Sequence, residues 1–114
     1  MNDYLSFFEQ YKDIKEISDL IDEVHKLREY YYTQQHEKMQ QHINNLMIKY
    51  LAETITWNAC SPAMPTTVQQ AYMNAETFLR AKGYSLLLKN GMKLQEQNTN
   101  EELAFIESTF KPTK

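Results

Sequence analysis

The sequence predicts an all-α fold: a small bundle of three to five helices, with a long N-terminal helix or helical hairpin, forming a dimer. Three observations carry this. Every glycine and proline lies after residue 61, as Pro62, Pro65, Gly83, Gly91 and Pro112, so the first half lacks both of the strongest chain breakers. Sandwiches, barrels and Rossmann-type domains need frequent tight turns rich in Gly, Asn-Gly or Pro. Apolar positions recur at steps of three and four, the period of one helical face. Ser/Thr-x-x-Glu/Gln sequences stand ahead of the apolar stripes, as helix-opening capping boxes do.

The first such box is Ser6-Phe7-Phe8-Glu9, with Asp3 as a rival cap one turn earlier. A stripe follows through Phe7, Tyr11, Ile14, Ile17, Ile21, Val24, Leu27 and Tyr31, widened by Phe8 and Leu20. It fails over the wholly polar Thr33–Lys38 and resumes with Met39, Ile43, Leu46, Met47, Tyr50, Leu51 and Trp57. One helix across this whole stretch would be about 75 Å long and would need another chain beside it. A bend near Thr33–His36 is the preferred reading, giving helices over about 4–32 and 36–58. Asn44-Asn45 is a second candidate bend.

Cys60-Ser61-Pro62-Ala63-Met64-Pro65 marks a loop, because each proline removes a donor and biases the preceding residue away from helix. Thr66 or Thr67, ahead of Gln69 and Gln70, then caps the cleanest helix, expected over about 67–90. Its stripe is Val68, Ala71, Tyr72, Ala75, Phe78, Leu79, Lys82, Leu86 and Leu87. Gly83 inside it costs about 1 kcal/mol against Ala and marks a kink or a close crossing. Asn90-Gly91 is a left-handed helix stop. A short helix or extension near 92–97 and a last helix over 100–110, opened by Thr99 and Glu102 and ended by Pro112, complete the expected single domain over 1–114.

The totals bound the function. Aromatics at 12% with a net charge of only −3 argue against disorder. No apolar run approaches the ~20 residues of a membrane span, and Met1–Gln10 lacks a signal-peptide pattern. The one cysteine, Cys60, has no disulfide partner within the chain, which fits a reducing, cytoplasmic setting. No cofactor and no membrane role are implied.

Constellations for chemistry are weak. His36 and His42 are six residues apart, so they point about 120° away from each other and make a poor metal pair. His25 and His36 share a face but stand about 16 Å apart. No metal site is expected. Cys60 lies in no nucleophile motif, and no Arg-x4-His ribonuclease motif follows Arg28 or Arg80. Asp13, Glu16, Asp19, Asp22 and Glu23 alternate with lysines and are expected on a solvated helix face with i,i+4 pairing. The chain is therefore expected not to be an enzyme.

Two constellations suit binding. Tyr30-Tyr31-Tyr32 spans about 200° of helical arc, so a single core cannot cover all three rings. Tyr and Arg are enriched in protein-binding hot spots. Arg28, Tyr30, Tyr32 and His36 are the expected partner-binding residues. The other constellation is a basic stretch, Arg80, Lys82, Lys89 and Lys93 with Tyr84 beside it, which suits nucleic acid or an acidic partner. A nucleic-acid-binding domain is usually more basic than this chain at pI 5.6, so nucleic acid ranks second. Leu88, in Leu86-Leu87-Leu88, is a candidate for a second helix or subunit. The leading expectation is a protein-binding adaptor, chaperone or inhibitor acting as a homodimer; its size alone suits a phage or mobile element.

Overall fold

A computed structural model of the chain describes residues 4–60 and 67–92, together with Ala104 and Ile106. Among these residues it is all-helical, with five helices and no strand. They are α1 (Tyr4–Glu9), α2 (Lys15–Tyr32), α3 (His36–Lys49), α4 (Leu51–Cys60) and α5 (Val68–Lys89). The expected helices near 92–97 and over 100–110 lie outside the described residues, apart from Met92, which is not helical, and the helical Ala104 and Ile106.

The first expected helix is two. Between α1 and α2 the ladder tightens: Gln10 N–H donates to Phe7 O at 3.3 Å, Tyr11 to Phe8 at 2.8 Å and Ile14 to Tyr11 at 3.0 Å. These three-residue bonds close tight turns instead of α-helix. Ser6 consequently lies inside α1, so it is not the cap that the capping box implied.

Two helix ends share one construction. After α2, Gln35 N–H reaches Tyr30 O at 2.8 Å and Gln34 N–H reaches Tyr31 O at 3.1 Å. After α5, Met92 N–H reaches Leu87 O at 2.9 Å and Gly91 N–H reaches Leu88 O at 3.0 Å. Both are Schellman closures with a left-handed residue, Gln34 at φ 60° and Gly91 at φ 82°. The bend at the polar gap is thus made without glycine. α5 opens on Thr67, whose hydroxyl accepts the Gln70 N–H at 3.1 Å, a side-chain cap.

The junction of α3 and α4 is Tyr50, at φ −113° and ψ 44°, and not the Asn44-Asn45 pair. Tyr50 N–H still donates to Leu46 O, and Thr54 N–H to Tyr50 O, each at 2.9 Å. Glu23 holds this junction. Its carboxylate accepts from Lys49 Nζ at 2.7 Å and from the Tyr50 hydroxyl at 2.8 Å, while His42 Nε2 donates to its backbone carbonyl at 3.0 Å. Glu23 is therefore a structural carboxylate and not part of the solvated acidic face; the exposed Lys15–Asp19 pair at 3.5 Å does belong to that face.

The chain forms two units, one of residues 1–21 and 79–114, the other Asp22–Phe78. The first buries Leu5, Phe8, Ile17, Leu20, Ile21, Leu79, Tyr84, Leu86 and Leu87. Its centre is aromatic: Phe8 meets Tyr84 edge-on at 5.1 Å between centroids, and Phe7 lies 6.1 Å from Tyr84. Gly83 is what admits this packing, because a Cβ there would collide with Cε2 and Cζ of Phe8. The second unit buries Val24, Leu27, Met39, Leu46, Tyr72 and Phe78, with Trp57 edge-on to Phe78 at 5.6 Å. Met47 and Leu51, expected in the core stripe, are exposed instead, along with Ile48 and Ile55. The inward face of α3–α4 runs through Met39, Leu46 and Thr54, so these helices carry a second apolar face that looks out.

Candidate functional site

The site grows from one turn of α2 against one turn of α5. Arg28 and Tyr32 are four residues apart on α2, as Tyr72 and Glu76 are on α5, so each pair shares a helix face. Arg28 Nε donates to Glu76 Oε1 at 2.9 Å, and Arg28 Nη2 donates to the same oxygen. Both side chains are largely covered, at 25% and 18% exposure. Tyr31 lies flat on Tyr72, with centroids 4.1 Å apart and planes 6° from parallel. Tyr32 stands edge-on to both rings, 5.1 Å from Tyr31 and 5.9 Å from Tyr72. The Tyr72 hydroxyl hydrogen-bonds with Glu76 and Tyr32; burial above all, then these bonds, push its pKa above the ordinary tyrosine value.

The result is a fixed aromatic platform with one outward ring. Tyr32 remains 71% exposed although two rings and a hydrogen bond hold it. Of the other expected partner-binding residues, His36 is exposed as the first residue of α3. Tyr30 is half-buried, its ring edge-on to His42 at 6.0 Å. Arg28 is committed to Glu76. Tyr72 and Glu76 complete the site. Tyr72 falls on the expected α5 stripe, but nothing in the spacing marks Glu76 as the partner of Arg28.

The basic stretch is altered by the fold. Tyr84 is 2% exposed and packs in the aromatic core, so its assignment as a contact residue is corrected. The reason is that α5 buries nearly every side from Phe78 to Leu87, leaving no open face there for a ring. Arg80 lies over the rings of Tyr4 and Tyr84 at 5.8 and 5.6 Å. Lys82 is half-buried and Lys89 exposed; Lys93 and the side chain of Cys60 lie outside the described residues. Leu88 is 37% exposed.

Among the described residues no three His, Cys, Asp or Glu side chains group as metal ligands. No described helix is long and apolar enough to cross a membrane. No protein-family model, curated protein or solved structure matches the chain.

Proposed function

We propose that this chain is a non-enzymatic, cytoplasmic protein-binding module, an adaptor, chaperone or inhibitor that covers a partner's surface, and that it works as a homodimer. The observation that supports the partner-binding role is Tyr32, a large ring mostly in solvent yet held by Tyr31 and Tyr72. A ring fixed before binding loses little rotamer freedom when a partner covers it, so more of its contact energy appears as affinity. Tyrosine is also among the residues on which binding energy concentrates. His36 and the rim of Tyr30 extend the surface. The basic stretch, with Tyr84 in the core, offers less for a nucleic acid than its sequence implies.

The test compares wild type with Tyr32→Ala in affinity capture from the source cells, read by quantitative mass spectrometry. A protein retained by wild type should be bound about 10-fold or more weakly by the variant, as expected for a central contact. The variant's helicity and melting should change little, because the ring lies outside the buried core. An unchanged set of captured proteins would remove Tyr32 as the contact.

A further inference from the structure

Hydrogen-bond direction is fixed along the chain of groups that ends at Tyr32. Glu76 is a carboxylate paired with Arg28, so it only accepts. The Tyr72 hydroxyl bonded to it must donate, and a hydroxyl has one hydrogen. In the bond between the two tyrosines the donor is therefore Tyr32. Its oxygen is left with lone pairs only, and donating into a chain that ends on a charge makes it a stronger acceptor. The hydroxyl attaches the ring by its rim, and at 71% exposure the ring has a face open to solvent. That face is the negative part of the ring quadrupole.

The charge beside the ring has one sign. By helical angle Arg28 and Tyr31, which meet α5, lie about 40° and 100° to one side of Tyr32, and Glu29 lies about 60° to the other. Glu29 is exposed and makes no ion pair among the described residues. Over 27–36 and 68–76 the charged side chains, His36 apart, are Arg28, Glu29 and Glu76, and Arg28 and Glu76 neutralise each other. Lys26 is about 120° round α2 from Tyr32, and Glu37 and Lys38 on α3 are opposite in charge. We propose that Tyr32 receives a positively charged side chain of the partner protein, arginine above all, laid on the open ring face with Glu29 as its carboxylate. The proposal rests on the partner-binding reading and names what the partner presents. A guanidinium is planar, stacks on an aromatic face and carries five donors, so one side chain can cover the ring and donate to Glu29 or the Tyr32 oxygen. A purely apolar group over the ring would leave both acceptors covered and unpaired.

The test is a titration of the full chain, followed by NMR of its tyrosine rings and backbone amides. The probes are a blocked Gly-Arg-Gly tripeptide and its citrulline counterpart, which keeps the planar shape and loses the charge. The arginine peptide should shift the Tyr32 ring and the Glu29 amide with a Kd of about 1–10 mM, and the citrulline peptide should bind about 3-fold or more weakly. Tyr32→Ala should weaken the arginine peptide about 3- to 10-fold and Glu29→Gln about 2- to 5-fold. Tyr32→Phe, which keeps the face and loses the acceptor, should lie between wild type and Tyr32→Ala. Circular dichroism should show unchanged helicity in all three, because both sites are exposed. Equal shifts with the two peptides, no shift with either, or full binding by Glu29→Gln would overturn the cation assignment. The partner-binding reading fails separately: a captured protein lost with Tyr32→Ala but held fully by Glu29→Gln would keep that reading and overturn only the cation.

Discussion

Tyr72 shows how a single side chain can be both packing and polar link. Its ring carries Tyr31 on one face, and its hydroxyl joins Glu76 and Tyr32. Burial and these neighbours oppose ionisation, so the folded chain keeps the phenol proton at a pH where the unfolded chain releases it. Below the ordinary tyrosine value near pH 10.0 both states hold the proton and stability is unaffected. Above it the unfolded state binds fewer protons, and stability falls as pH rises. One such proton corresponds to about 1.4 kcal/mol per pH unit. Denaturant titrations between about pH 9.5 and 11.5 should show this slope. In Tyr72→Phe the fall should be shallower, and an identical slope would mean that Tyr72 ionises as freely folded as unfolded. The ring itself was legible as part of the α5 stripe. The Arg28–Glu76 pair beside it was not, because the two residues are 48 apart and periodicity carries no information about which faces meet.

At the scale of elements, the helix stops explain what the sequence showed and what it hid. Asn90-Gly91 reads as a stop because glycine adopts the left-handed conformation without a Cβ clash, and Gly91 does so at φ 82°. The bend after α2 uses the same closure with Gln34 at φ 60°, where only the lapse of the apolar stripe announced it. A β-carbon in that conformation costs about 1–2 kcal/mol. Gln34→Gly relieves it, less the extra chain entropy that glycine brings to the unfolded state. The expected net gain is about 1 kcal/mol, a rise in melting temperature of about 3–5 °C for a chain of this size. Thermal unfolding by circular dichroism would read it, and a lowered Tm would show that the side chain of Gln34 contributes more than its backbone costs. The turn between α1 and α2 left no sequence trace. No Gly or Pro marks it, and Phe7, Tyr11 and Ile14 keep apolar steps of four and three straight through it. The α3–α4 junction is hidden for a related reason, since the ladder continues on both sides of Tyr50.

For the whole molecule, the two units divide the work. In the unit of residues 1–21 and 79–114, the described aromatics Phe7, Phe8 and Tyr84 pack together at the notch of Gly83. Asp22–Phe78 carries both outward features, the ring of Tyr32 and the apolar row of α3–α4. A binding surface was harder to read than the helical class because a period of 3.6 marks apolar faces without saying which of two faces is inward. In α3–α4 both faces are apolar, and Met47 and Leu51 were assigned to the wrong one. The homodimer reading has a thermodynamic consequence. Dimerisation adds to folding stability by mass action, and the melting temperature then depends on protein concentration. Wild type scanned at about 1 and 100 μM should melt higher at the higher concentration, by several degrees if the monomer is only marginally stable. Tyr32→Ala should keep the wild-type dependence, because its ring is assigned to a different partner. A flat wild-type series would remove the homodimer reading.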